Sequence, residues 1–287
     1  MKMLFLGTGA GEGYPGRFCE CPYCAYAREH GGRNLRVNSS AVINDEILLD
    51  MNAPTYDQAA RFGLSLARVQ AALITHPHSD HLYLPDLGWR AGRTDAVGLP
   101  VEEQIALGSA PRFTAQRFLD IYGNGYTEEA FKAFPVDYAK LEMAFHRIEP
   151  GVPFACGAYR ILPIRGEHVK YGYSTVYVVE HEGKTLLYAT DSGNFDAEAR
   201  ELLRARHYDL IVMEGTGGLG YFKEGHMYLQ KNAEWRRFFL ENGCITEKTP
   251  FVLTHLSPHW TPPYDQYCDI AGEKGMIVAY DGYSLTI

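Results

Sequence analysis

The sequence predicts an α/β fold of layered strands and helices, on three observations. Apolar runs of strand length alternate with stretches of helical periodicity. Several of those runs finish, at their C-terminal tips, in a His or an Asp: His76, Asp191 and His255, with His168 just beyond another. Such tips gather on one edge of a sheet, where α/β-layered folds build their sites. And 287 residues, 46% of them hydrophobic, can bury one large core.

The elements are expected in this order. A short strand opens the chain and breaks at Gly7-Thr-Gly9-Ala-Gly11-Glu-Gly13. Residues 39–50 read as two strands around an Asn-Asp turn, the second ending in Asp50. Residues 54–66 look helical, 69–75 form a buried strand, and 82–89 start a helix behind it. Residues 113–122 and 127–134 show helical spacing of aromatics, with Thr127 as N-cap. A strand over 159–164 runs into Arg165-Gly-Glu-His168. Residues 174–180 and 184–190 form a hairpin across His181-Glu-Gly183, ending in Asp191-Ser-Gly193. An apolar strand over 209–213 ends in Glu214, and Gly225-His226 opens a helix through about Leu240. Strands over 251–254, 277–280 and 283–287 close the chain.

The densest chemistry lies at residues 71–81, Ala-Ala-Leu-Ile-Thr-His76-Pro-His78-Ser-Asp80-His81. Imidazole nitrogens and carboxylate oxygens suit zinc, iron or manganese. Two pairs packed this tightly can serve two ions side by side, if the loop aims each pair at its own metal. A polar loop with accidental histidines is the bland alternative, and four ligand types in six residues argue against it. The glycine stretch at 7–13 lacks the Lys-Ser/Thr ending of a P-loop and the acidic partner of a dinucleotide fingerprint. It reads as a tight turn that lets backbone pass beside the active-site loop.

Cys19-Glu-Cys21-Pro-Tyr-Cys24 offers three thiolates to one tetrahedral ion and needs a fourth ligand from elsewhere. A redox role for the C-x-x-C pair competes, without the strand-to-helix setting such pairs have. Cys156, Cys244 and Cys268 are isolated and read as small buried hydrophobes.

The net charge of −8 argues against general affinity for nucleic acid or anionic membrane, which needs a basic surface. Residues 95–147 repeat that balance, with five Lys/Arg against eight Asp/Glu. No apolar run is long enough to cross a bilayer, and the first residues are too brief for a signal peptide. A cytoplasmic protein acting on a small molecule is expected. Its oligomeric state is open, a homodimer being one option.

Thr75-His76-x-His78-x-Asp80-His81, then His168, Asp191 and Thr254-His255, in that order, resemble the metallo-β-lactamase-fold hydrolases over nearly the whole chain. The resemblance implies an αββα four-layer sandwich with a dinuclear site between the sheet ends. It implies one domain over residues 1–287, with a helical insertion or lid at about 90–150. His76, His78 and His168 would hold a first divalent ion, Asp80, His81 and His255 a second, and Asp191 would bridge them. Zinc, manganese or iron would serve.

The Gly7-Thr-Gly9 turn, the three cysteines and Tyr280-Asp281-Gly282 are similar to one branch, the phosphoribosyl cyclic phosphodiesterases of the carbon–phosphorus lyase pathway. There, three cysteines and a later histidine hold a structural zinc. Cys19, Cys21, Cys24 and His259 match, His259 one residue further along than that branch places it. His226 falls where the branch has a leaving-group acid, and with Asp80 it makes up the implied catalytic pair.

The resemblance thus implies a metal-dependent phosphodiesterase that hydrolyses a small phosphate ester, cyclic esters included, by a metal-bridging hydroxide. Arg17, Arg36, Arg165, Lys170 and Lys223 are candidate phosphate partners, and Glu214 a candidate support for a ligand histidine. Three alternatives share the resemblance. One is a lactone or thioester hydrolase. Another is a cofactor-biosynthesis protein like the pyrroloquinoline-quinone B proteins. The last, a tRNA 3′-processing nuclease, would need a basic RNA-gripping arm.

Overall fold

A computed structural model describes residues 1–90, 101–106, 116–168 and 172–287. Its first half runs β1 (Lys2–Gly7), α1 (Pro22–His30), β2 (Ser40–Ile43), β3 (Ile47–Leu49), α2 (Thr55–Arg61) and β4 (Ala71–Leu73). There follow a 3-10 turn (Pro85–Arg90), α3 (Val101–Ala106), β5 (Leu119–Gly123), α4 (Gly125–Lys132) and β6 (Met143–Arg147). The second half runs β7 (Phe154–Cys156), β8 (Tyr159–His168), β9 (Gly172–His181), β10 (Lys184–Ala189), α5 (Ala197–Arg204) and β11 (Leu210–Glu214). It ends with α6 (Leu229–Glu241), β12 (Phe251–Thr254), α7 (Tyr264–Gly272), β13 (Ile277–Val278) and β14 (Ser284–Thr286).

Among the described residues the strands form two seven-stranded sheets, ordered β14-β1-β2-β3-β4-β5-β6 and β13-β12-β11-β10-β9-β8-β7. In each sheet the strands on one side pair antiparallel and the rest pair parallel, from β3 to β6 and from β10 to β13. Parallel neighbours end at the same edge, which brings the tips of β4, β10, β11 and β12 together.

Strand alternation then makes four layers. Ala71 and Leu73 of β4 face Tyr177, Tyr188 and Val212 of the opposite sheet in the central core. Ala72 and Ile74 point the other way, onto Ala59 of α2 and Phe131 of α4. Beyond the second sheet, Val178, Leu187 and Met213 pack on Leu203 of α5, Trp235 and Phe239 of α6 and Tyr267 of α7. This is the αββα sandwich expected.

Local details follow the sequence in part. Asn44 and Asp45 turn β2 into β3 with φ of 51° and 59°, a left-handed conformation Asn and Asp tolerate. Glu182 and Gly183 do the same between β9 and β10, a two-residue hairpin loop.

Four expectations are corrected. Residues 119–123 are strand β5, because Ile121 is a central residue paired to β4 and β6, and pairing overrides its helical spacing. Asn124, not Thr127, caps α4: its side chain accepts from Thr127 N at 3.0 Å. Residues 85–90 form a 3-10 turn in place of an α-helix. The last long helix, α6, starts at Leu229, three residues after His226. Of the expected insertion at about 90–150, β5 and β6 belong to the first sheet, while 91–100 and 107–115 lie outside the described residues. Cys156 and Cys244 are buried as expected; Cys268 is partly exposed.

Candidate metal centre

The motif loop leaves β4 at Thr75 and returns at His81, both residues wholly buried. Asp50, at the tip of β3, sets its shape. Its Oδ1 accepts from Thr75 N at 2.8 Å, and its Oδ2 lies 2.8 Å from His81 Nδ1. A histidine bound in this way at one nitrogen presents the other in a fixed direction. Asp50, Asp191 and His255 all have positive φ, at 58°, 47° and 56°. Each stands at a strand tip in the left-handed region, where backbone strain concentrates at functional sites.

Two groups of ligand atoms converge. His76, His78, His168 and Asp191 bring one atom each within 4.8 Å of one another, and so do Asp80, His81, Asp191 and His255. His76 Nε2 is 2.7 Å from His78 Nδ1, and His168 Nε2 is 3.2 Å from the same atom. His81 Nε2 is 3.2 Å from His255 Nε2 and 3.3 Å from Asp80 Oδ2. Asp191 Oδ2 lies 3.4 Å from His76 Nε2 and 2.7 Å from His81 Nε2, one oxygen between the groups. Ligands about 2.1 Å from a tetrahedral ion stand roughly 3.4 Å apart, so these spacings fit small divalent ions.

The chemistry of the donors fits as well. Asp191 Oδ1 and His168 Nδ1 are buried and make no hydrogen bond. Several imidazole nitrogens facing one another cannot all be satisfied by shared protons, and a cation satisfies them together. Burial and the neighbouring His81 ring hold His76 well below the usual histidine range, and burial lowers His78 to about 4. Burial opposes charge on His81 too, but the Asp80, Asp50 and Asp191 carboxylates outweigh it and raise the ring well above its usual range. Burial also opposes ionisation of Asp191, yet His255 and His81 hold its carboxyl well below the ordinary value.

A third group sits beside these. Glu214, fully buried at the tip of β11, accepts from Ser192 N at 2.8 Å and lies 3.0 Å from His226 Nδ1. Its second oxygen also takes the Thr216 hydroxyl, whose Oγ1 is 2.8 Å from His255 Nδ1. One carboxylate thus fixes the Asp191 loop, His226 and, through Thr216, His255. Burial works against charge on His226, and Glu214 and Asp191 outweigh it, raising the ring to about 11. The approach requires glycine at 193, where a Cβ would stand 2.5 Å from His226 N. The glycine turn also borders the site closely: a Cβ on Gly11 would meet Asp80 Oδ2 at 3.2 Å. That turn is the backbone passage expected of it.

Cys19, Cys21 and Cys24 place their sulfurs within 4.8 Å of one another. Cys21 stands at the N-cap position of α1 and Cys24 lies within it, but loop and not strand precedes that helix, so the strand-to-helix setting of a redox pair is absent, as expected. Burial opposes ionisation of Cys21, and hydrogen bonds from the backbone of Cys24 and the neighbouring thiols outweigh it, keeping this thiol below its usual value. His259 is not brought into this group. Its Nε2 faces Glu12 Oε1 at 3.5 Å, although Pro258 borders Gly16, whose N–H donates to Cys24 Sγ at 3.2 Å.

Of the cation candidates, Arg36 is buried and spent on Thr8 Oγ1 and Ala279 O. Arg17 donates to Asn38 Oδ1, Arg165 lies over the Tyr173 ring, and Lys223 is exposed beside Glu224. Lys170 is outside the described residues. Sequence reasoning assigned no role to Asp50 or Thr216. The apolar run Ile47-Leu-Leu ending in an Asp was the one local signal for the first. A cavity of about 680 Å³ on the outer face of the first sheet, lined by Met51, Tyr56, Tyr83 and Leu87, contains none of the converging ligands.

Two sheets flanked by helices, with a His/Asp cluster at their shared edge, define a metallo-β-lactamase-fold hydrolase. Residues 46–237 match the beta-lactamase superfamily domain, and the chain belongs to that superfamily. It is 25% identical over 301 residues to a ribonuclease Z of Listeria monocytogenes, covering 91% of this chain and 90% of that one. A diphosphatase of the PhnP family superposes with a TM-score of 0.67 at 19% identity, over 99% of this chain and 97% of that one. Zinc-bound PqqB from Methylobacterium extorquens superposes with a TM-score of 0.72 at 17% identity, over the full length of both. Among the described residues no helix is long and apolar enough to cross a membrane.

Proposed function

We propose that the protein is a dinuclear metal-dependent phosphodiesterase acting on a small phosphate ester, cyclic esters included. His76, His78 and His168 would hold one divalent ion, Asp80, His81 and His255 the other, with Asp191 shared. Such ions, when bound, polarise phosphate oxygens and bring a water to its reactive form near neutral pH. The chain's own residues do the rest. Asp50 and Thr216 orient His81 and His255 through their Nδ1 atoms.

The observation that carries the reading is the placement of His226. Its Nδ1 is held by Glu214 at 3.0 Å, with Asp191 Oδ1 at 3.3 Å, and its side chain is 27% exposed, on the open side of the cluster with the partly exposed His78 and Asp80. Among the described residues nothing hydrogen-bonds its Nε2, which leaves that nitrogen to give a proton to the departing oxygen. Water forms a new P–O bond and releases a proton to solvent, the ester P–O bond breaks, and the alkoxide leaves as an alcohol carrying the His226 proton, which solvent then replaces. A thioester hydrolase needs the same metals but expels a thiolate, which departs without an acid of this kind; a lactone, like a phosphate ester, expels an alkoxide. The names of two relatives, a ribonuclease and a diphosphatase, both refer to cleavage at phosphorus. The net charge of −8 favours a small substrate over a nucleic acid.

The three cysteines would hold a structural zinc, with His259, which the resemblance matches to them, as the candidate for the fourth position. Metal-loaded protein should carry about three ions per chain and hydrolyse bis(p-nitrophenyl) phosphate and cyclic phosphodiesters. Inertness toward both, alongside rapid lactone or thioester turnover, would overturn the phosphodiesterase reading.

A further inference from the structure

We infer that the leaving alcohol of the natural substrate bears a planar aromatic ring of the nucleobase kind, seated on a wall made by Phe222 and Trp260. This rests on His226 as the leaving-group acid. The departing oxygen must come within hydrogen-bond reach of that ring, about 3 Å, so its substituent lies beside whatever borders His226. Besides the ligand rings of His168 and His255, at 5.7 and 6.2 Å, its ring neighbour is Phe222. Phe222 stands edge to face with His226, centroids 6.1 Å apart and planes at 88°. Trp260 stands edge to face with Phe222, at 5.3 Å and 82°.

The wall is open and fixed. Trp260 is 47% exposed, and Tyr221, next along the loop, is 73% exposed. The Gly-rich loop that carries Phe222 is packed onto the Trp260 segment. Leu219 N donates to Trp260 O at 2.9 Å, and a Cβ at Gly220 would stand 2.7 Å from Trp260 Cε3. A rigid aromatic surface at the edge of a polar centre is pre-organised to take a flat apolar group. A ring-bearing leaving group gains stacking there. A bare polyol leaving group would turn its hydroxyls against an indole and a phenyl ring that offer them little.

The test compares a nucleoside 2′,3′-cyclic phosphate with glycerol 1,2-cyclic phosphate, both releasing an alkoxide from a five-membered phosphate ring. Metal-loaded wild type, Trp260→Ala and Trp260→Phe are assayed, with thermal unfolding confirming that each variant folds. The wild type should favour the nucleoside substrate. Loss of the indole should cut that preference roughly tenfold or more, chiefly through KM, as expected for removing one base-stacking partner. Trp260→Phe should restore most of it. An unchanged ratio of the two kcat/KM values in Trp260→Ala overturns the inference, as does a wild type that prefers the glycerol ester. If neither cyclic ester is cleaved, the phosphodiesterase reading fails with it. If both are cleaved alike by all three proteins, only the aromatic wall fails.

Discussion

Asp50 Oδ2 lies 2.8 Å from His81 Nδ1, and both side chains are completely buried. The contact fixes which ring nitrogen His81 offers to Asp80, Asp191 and His255. An Asp50→Asn variant should weaken the second metal position about 10- to 100-fold, the usual effect of removing a carboxylate behind a ligand histidine. Metal titration monitored by calorimetry checks this. Unaltered affinity at both positions would show that the motif loop orients His81 without Asp50.

Asp191 stands between both ligand groups. Asp191→Ala should therefore lose activity and metal occupancy together. Elemental analysis of the variant alongside its turnover is decisive, and full occupancy of both positions would contradict a shared ligand. Chelation of the wild type should abolish hydrolysis, with recovery on adding back zinc or manganese.

His226 acts late, at the departing oxygen. His226→Ala should lower kcat about 10²- to 10⁴-fold for esters with alkoxide leaving groups. For p-nitrophenyl esters, whose leaving group needs no proton, the loss should stay below roughly tenfold by the same principle. Equal losses on both substrates would remove His226 from the acid role.

Gly193 has no room for a side chain, since a Cβ would run into the Gly225 carbonyl carbon. Gly193→Ala should push the His226 loop away from Asp191 while leaving the metal ligands in place. A shift of this kind costs on the order of 10²-fold in rate. The variant should therefore match His226→Ala in its leaving-group dependence and the wild type in metal content. Loss of metal along with rate would count against a displaced His226.

Asp281 lies away from the metal centre, accepting from Thr8 Oγ1 at 2.7 Å and Val37 N at 2.8 Å. Burial pushes its carboxyl up to about 6, with those hydrogen bonds and Arg36 opposing. Its folded value is above its unfolded one, so the protonated group favours the fold below pH about 4 and this contribution fades as pH rises through about 6. Asp281→Asn should flatten that dependence. Its stability relative to wild type should improve by about 2 kcal/mol between pH 4.5 and 7.5, measured by urea unfolding. A difference that does not vary with pH would disprove the raised carboxyl.

The order of residues alone was enough for the strand tips and the ligand types. His76, His78, Asp80 and His81 were legible because four donors crowd six residues, and Asp191 and His255 because each ends an apolar run. The αββα layering followed from a resemblance carried by those same residues. What periodicity misjudged were the places where partners decide. Residues 119–123 joined the first sheet because β4 and β6 flank them. Asn124 took the cap because its side chain, and not that of Thr127, reaches the free N–H.

Which donors meet was settled by tertiary pairing. Asp50 and His81 are 31 residues apart, Glu214 and His226 twelve, and Thr216 and His255 thirty-nine. No local pattern encodes such contacts. They arise because parallel pairing brings the tips of β3, β4, β10, β11 and β12 to one edge of the sandwich. His259, which the resemblance matches to the cysteines despite its spacing, has its Nε2 3.5 Å from Glu12 Oε1. The chain's composition fixes the chemistry available. The sheet edge fixes which of those groups share a cation and which share a proton.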